Sequence, residues 1–259
     1  MKKFISNKYF LFFLGILFVI GLWFIASLLL DRNGAIFPSP VLTMQSFATI
    51  LTKSETYSSL GYTFLRMIIG FFISFVLALI FGMIAGNYPS MYSFFKPLMT
   101  VLKSIPTVAF VFVFVVMINA RDAPIFVVLI ICFPILYEAV VGGIRNVEQD
   151  VIDASKVDGS STFKSALYIK LPLAVPYIIV GIVSSFALSF KVAIMAEVIT
   201  GSTRNGLGSS IHYAYSEANM PDVFAYALLV VVFMLLVTLL EDVVKQIMKK
   251  KGIVIANNK

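Results

Sequence analysis

Along most of this chain, apolar residues run on without the alternation that marks a half-buried strand or the striping of a water-facing helix. Apolar stretches of about 20 residues, the length a helix needs to cross a hydrocarbon core, recur six times. The first is Tyr9–Leu30, preceded by Lys2, Lys3 and Lys8, and the second is Met67–Gly86. The third, Pro97–Ile118, contains Lys103 and Pro106, and the fourth, Ala123–Ile144, contains Pro134 and Glu138. Pro172–Val198 carries Lys191 and Glu197 towards its end, and Val223–Val243 is the last. FVFVFVV (110–116) is rich in strand formers, but a lipid-facing strand alternates with polar lumen residues and this run does not. Internal prolines are expected to be tolerated, because neighbouring helices satisfy the freed carbonyls.

The pattern predicts an all-α, polytopic membrane protein with six transmembrane helices. Composition agrees: 60% of residues are hydrophobic and 13% charged, against roughly 45–50% and 25% in soluble domains. Tyr9–Leu30 is read as a retained helix, since the core of a secretory signal peptide spans only about 7–15 residues. One cysteine, Cys132, excludes an internal disulfide, and one histidine, His212, argues against a histidine metal site or a His-based catalytic unit. His212 is expected to be an ordinary loop residue.

The net charge of +7 does not call for a nucleic-acid partner. With the N-terminus in the cytoplasm and six crossings, thirteen of the twenty basic residues fall on the cytoplasmic side and five outside. That bias is the positive-inside signature, and it places both termini in the cytoplasm. Arg66, near the outer end of the second span, is expected to be an interfacial anchor. Asp31–Ser59 becomes an outer linker containing FPSP (37–40) and a weakly amphipathic stretch over 41–51. Gly201–Asp222 becomes an outer loop, where Gly206 and Gly208 make either a tight turn or a flexible segment.

One polar stretch breaks the apolar sequence, DASKVDGSSTFKSALYIKLP (153–172), and the topology makes it cytoplasmic. Asp150–Val157 forms about two helical turns, and Gly159 suits a left-handed helix end. Ser160, Ser161 or Thr162 caps a second short helix running to Pro172. Two short helices tethered between spans make a rigid protrusion of the kind that docks into a groove.

The stretch resembles the EAA loop of the inner-membrane permeases of binding-protein-dependent ABC importers. The family pattern is E-A-A, three residues, G, nine residues, I-x-L-P. It stands here as Asp153-Ala154-Ser155, Gly159, then Ile169-Lys170-Leu171-Pro172, with Asp for Glu and Ser for the second Ala. TFLRMIIGF (63–71), SIPTVAF (104–110), AEVI (196–199) and GLG (206–208) extend the match to the nitrate, sulfonate and taurine branch, which includes permeases for thiamine-precursor pyrimidines. MINARDAP (117–124) departs from that branch, where a WFG-like sequence is common.

The resemblance implies a permease subunit moving a small solute across the cytoplasmic membrane. Its partners would be a cytoplasmic ABC ATPase, which holds the ATP, an extracytoplasmic solute-binding protein, a second permease copy and membrane lipid. The chain itself would be no enzyme and would bind no cofactor. Its parts would be an N-terminal helix and linker (1–55), a permease core (56–246) and a basic tail (247–259).

Charges inside spans are costly and mark function by default. Lys103 and Glu138 lie at similar depth and are read as an ion pair, or Lys103 snorkels to the interface. Lys191 and Glu197 either line the outer gate and substrate path or pair with neighbouring helices. A stand-alone transporter or channel is the alternative function. It predicts inverted repeats, and none is found.

Overall fold

The computed structural model describes residues 8–30, 36–157, 161–201 and 205–250, and every regular element among them is helical. In chain order these are α1 (Lys8–Leu30), α2 (Pro40–Thr52), α3 (Ser54–Asn87), α4 (Pro89–Ser104), α5 (Thr107–Met117) and α6 (Ala123–Arg145). There follow α7 (Gln149–Val157), α8 (Thr162–Ser165), a π-helical turn (Ala166–Lys170), α9 (Leu171–Thr200), α10 (Leu207–Ser216) and α11 (Met220–Lys250). Five helices are long and apolar enough to cross a bilayer, counting Ala166–Thr200 as one. Helices α4 and α5 qualify only as a pair, bent by 95°.

The core sits around α6, which buries Val127, Val128, Leu136, Val140 and Ile144. In lipid, helices gain little from hiding apolar surface, so close approach through small residues decides their packing. Helix α3 presents buried Gly70, Ser74, Ala78 and Gly82 at four-residue intervals, which share one helix face. A Cβ on Gly82 would lie 2.8 Å from Val140 Cβ, and one on Gly86 2.9 Å from Ile144 Cβ. Gly70 meets Val128 in the same way, at 3.0 Å. Partner numbers rise together along the contact, so α3 and α6 run parallel.

The opposite face of α6 packs on α9. A Cβ on Gly143 would come within 2.9 Å of Ala174 Cβ, while Cys132 Sγ lies 3.7 Å from the Ser185 carbonyl. These helices are antiparallel, and α11 returns along α9, with Phe190 and Phe233 ring centroids 4.2 Å apart. Because α3 and α6 are parallel, α4 and α5 together must carry the chain back from one end of the bundle to the other.

The expected single third span over Pro97–Ile118 is therefore two helices. Ile105 is extended (φ −76°, ψ 127°) and precedes Pro106, whose ring disfavours a helical predecessor and whose nitrogen donates no hydrogen bond. Pro134, by contrast, lies within α6 without ending it; α3 and α9 pack against that helix on both sides.

Helix α2 begins in FPSP: Ser39 Oγ accepts from Leu42 N at 3.3 Å and Pro40 occupies the first turn. Helix α1 stands at the edge of the bundle. Trp23 Nε1 donates to the Pro38 carbonyl at 3.1 Å and its ring stacks on Phe224 at 6.0 Å. Large side chains elsewhere on α1, such as Phe12 and Leu29, are exposed.

The 149–172 connection differs from expectation at its second half. Helix α7 forms as read, and Ser161 supplies the cap, its Oγ accepting from Lys164 N at 3.3 Å. The following helix does not stop at Pro172. Leu171 N donates to the Ala166 carbonyl, five residues back, and this π turn joins α8 to α9 without interruption. Pro172 has no N–H to give the bonding pattern and sits in the first turn of α9.

Candidate functional site

Three of the motifs singled out in the sequence converge on one buried cluster. Glu197 of α9, within AEVI, has no exposed surface, and its carboxylate is surrounded by donors. Arg66 Nη1 donates to Oε1 at 2.7 Å, Thr63 Oγ1 to Oε2 at 2.7 Å and Gly208 N to Oε2 at 3.1 Å. Arg66 Nη1 also donates to the Asn205 carbonyl at 2.6 Å, and Thr63 Oγ1 accepts from Leu207 N at 2.7 Å. The first N–H groups of α10 thus find acceptors on α3 and α9, the requirement of any buried helix start. A carboxylate there also complements the positive end of the helix dipole.

This geometry explains the glycines. A Cβ on Gly206 would fall 2.7–2.8 Å from the Glu197 carboxyl atoms, and one on Gly208 2.7 Å from Glu197 Cβ. Close approach, not flexibility, is what these positions require. The expected loop over Gly201–Asp222 contains α10, and His212 lies on that helix with Nδ1 2.9 Å from the Val198 carbonyl. Arg66 is corrected as well: it is 7% exposed and paired, not an interfacial anchor. Sequence alone offered one signal for the pairing, an unusual carboxylate in an apolar helix that needed a cation somewhere.

Lys103 and Glu138 meet across α4 and α6 as an ion pair whose side chains are 41% and 55% exposed. They border an open cleft beside Tyr92, Lys96, Tyr137 and Arg145. Lys191 is exposed on α9, and among the described residues it has no ion pair; Glu197 points elsewhere.

In the 149–172 connection, Asp153 and Ala154 are exposed on α7, and Asp153 Oδ1 accepts from Gln149 Nε2 at 3.1 Å. Ser155 lies on the same helix, and Gly159 falls outside the described residues. Ile169 and Leu171 are half-buried at the π turn and Pro172 is exposed. Lys170 Nζ donates to Asn87 Oδ1 at 2.9 Å, tying the connection to the end of α3.

A bundle of helices long and apolar enough to cross a bilayer, with ionised pairs between them, defines a polytopic membrane protein. The family model for binding-protein-dependent transport system inner membrane components matches residues 78–251, and the chain belongs to that family. It is 28% identical over 208 residues to the nitrate import permease protein NrtB of Synechocystis, covering 76% of this chain and 74% of that one. A Bacillus subtilis permease named for aliphatic sulfonates transport, SsuC, is 23% identical over 208 residues, covering 80% and 75%. The MetNI methionine ABC transporter, solved in inward-facing conformations, shares the fold with a TM-score of 0.61 at 17% identity, covering 71% of this chain and 91% of that one. The protein is thus a permease subunit of an ATP-driven importer, and family membership implies an ATPase and a binding protein as partners.

Proposed function

We propose that the 149–172 connection is the cytoplasmic handle by which the partner ATPase moves the helices, and that two copies of this chain form the pathway. The observation that carries this reading is the mechanical continuity of the connection. Its second half runs unbroken from Thr162 to Thr200, and Lys170 bonds to the end of α3. A push on α7 and α8 would therefore reach both helices that hold the Arg66–Glu197 cluster at the far end. Asp153, Ala154, Ser155, Gly159 and the exposed Pro172 would contact the ATPase, with half-buried Ile169 and Leu171 seating the connection against the bundle.

The parallel run of α3 and α6 supports counting α4 and α5 as one broken span, giving six crossings with both termini in the cytoplasm. Lys191, a cation on the outside of an apolar helix, fits a surface facing the second copy or an aqueous path. The nitrate and sulfonate names of the relatives support a small oxyanion as solute. The test is co-purification of the cognate ATPase and uptake into vesicles containing binding protein. Asp153→Lys should insert normally yet lose most ATPase capture and uptake. Full capture and uptake in that variant would refute the handle.

A further inference from the structure

The cleft between α4 and α6 lies at the end of the bundle where α6 leads into α7, and the docking role leaves it unused. It measures about 420 Å³, within the range of small-molecule sites. Its wall carries three cations, Lys96, Lys103 and Arg145, against one carboxylate, Glu138. Lys103 is engaged by Glu138. Lys96 and Arg145 have no carboxylate partner among the described residues. The Arg145 guanidinium lies 4.0 Å from the centroid of the Tyr92 ring, a contact that orients it while using none of its hydrogen-bond donors.

The hydroxyl of Tyr137 is an independent pointer. Tyr137 is 1% exposed and lines the same cleft, yet its Oη has no hydrogen-bond partner. Buried hydroxyls are almost always partnered. An orphaned O–H donor and two unengaged cations around one cavity make a donor set for a negatively charged, acceptor-only group.

We propose that this cleft binds a small oxyanion, held by Lys96 and Arg145 and receiving the Tyr137 hydrogen bond. The Lys103–Glu138 pair bounds the site and leaves it with two net positive charges. The assignment rests on the permease reading only for its side of the membrane, which the docking connection makes cytoplasmic. Two sources carry the required chemistry: a free oxyanion of the transported class, and the phosphate of an anionic lipid headgroup, which basic pockets between membrane helices also attract.

The full-length chain, reconstituted without ATPase into phosphatidylcholine nanodiscs, is titrated calorimetrically with nitrate and with methanesulfonate. Saturable binding is expected, weakened at least tenfold by Lys96→Gln or Arg145→Gln and severalfold by Tyr137→Phe, and unchanged by Arg121→Gln outside the cleft. In discs containing phosphatidylglycerol, native mass spectrometry reads the second source. A lipid retained by the parent chain but lost from Lys96→Gln, with oxyanion binding suppressed, assigns the cleft to a headgroup. If neither oxyanion nor lipid binds, or if binding ignores Lys96→Gln and Tyr137→Phe, the site is refuted. No ATPase is present, so the outcome is separable from that of the docking assay.

Discussion

Arg66 on α3 and Glu197 on α9 form a buried ion pair, with Nη1 and Oε1 2.7 Å apart and side chains 8% and 0% exposed. The pair does more than join two helices. Through Asn205, Leu207 and Gly208 it also fixes the start of α10. Two neighbouring segments, the end of α9 and the start of α10, are closed at one point with α3, more than a hundred residues earlier in the chain.

Breaking such a pair from one side strands a buried charge, at a cost of about 3–5 kcal/mol. Arg66→Met and Glu197→Gln should each lower the melting midpoint of the detergent-solubilised protein severely. Arg66→Met combined with Glu197→Gln should cost less than the two single changes added together, because no lone charge remains. A single variant that melts with the parent would contradict the assigned pairing.

The α3–α6 contact depends on absent side chains. Gly82→Ala would place a methyl 2.8 Å from Val140 Cβ, and the helices must separate at about 1–3 kcal/mol for an overpacked core. Gly61→Ala meets nothing within 4 Å and serves as the control. Thermal melts should separate the two, with only Gly82→Ala destabilised.

Lys103 and Glu138 also form an ion pair, but an exposed one. Open pairs contribute about 0–1 kcal/mol. Lys103→Met should therefore leave the melting midpoint nearly unchanged. A loss as large as that of Arg66→Met would show that the pair is sealed from water in the assembled protein.

Helix α1 touches the bundle mainly near Trp23. Deleting residues 1–30 should leave a folded chain with the parent's melting behaviour, read by size-exclusion chromatography and thermal melts. An aggregated product would show that α1 is needed for the fold.

Much of the architecture was legible along the chain, because a bilayer imposes a length and a polarity that any span must meet. The runs over Tyr9–Leu30 and Ala123–Ile144 nearly coincide with α1 and α6, and Asp150–Val157 with α7. The bend at Ile105–Pro106 was hidden because hydropathy is blind to direction; an apolar run reads the same straight or folded. The rod from Thr162 through Pro172 was hidden for the converse reason. Proline usually marks a boundary, yet here the π turn just before it, with Leu171 N donating to the Ala166 carbonyl, carries the helix through Pro172 into α9.

The family motifs and the spacing of Asp153, Gly159 and Pro172 were visible in one dimension. The meeting of those motifs was not. AEVI announced a carboxylate in oil, and TFLRMIIGF contained an arginine one turn from a threonine. That the two belong together, with GLG closed over them, depends on α3 and α9 crossing at one level. Sequence alone determined that this chain lives in a membrane, how many apolar runs it has and where it turns polar, since each depends on local transfer energies. Which charges meet, which glycines must stay bare and which buried hydroxyls, Tyr137 among them, are left without a partner were decided by tertiary structure. Those relations depend on distances between helices, and no local pattern encodes them.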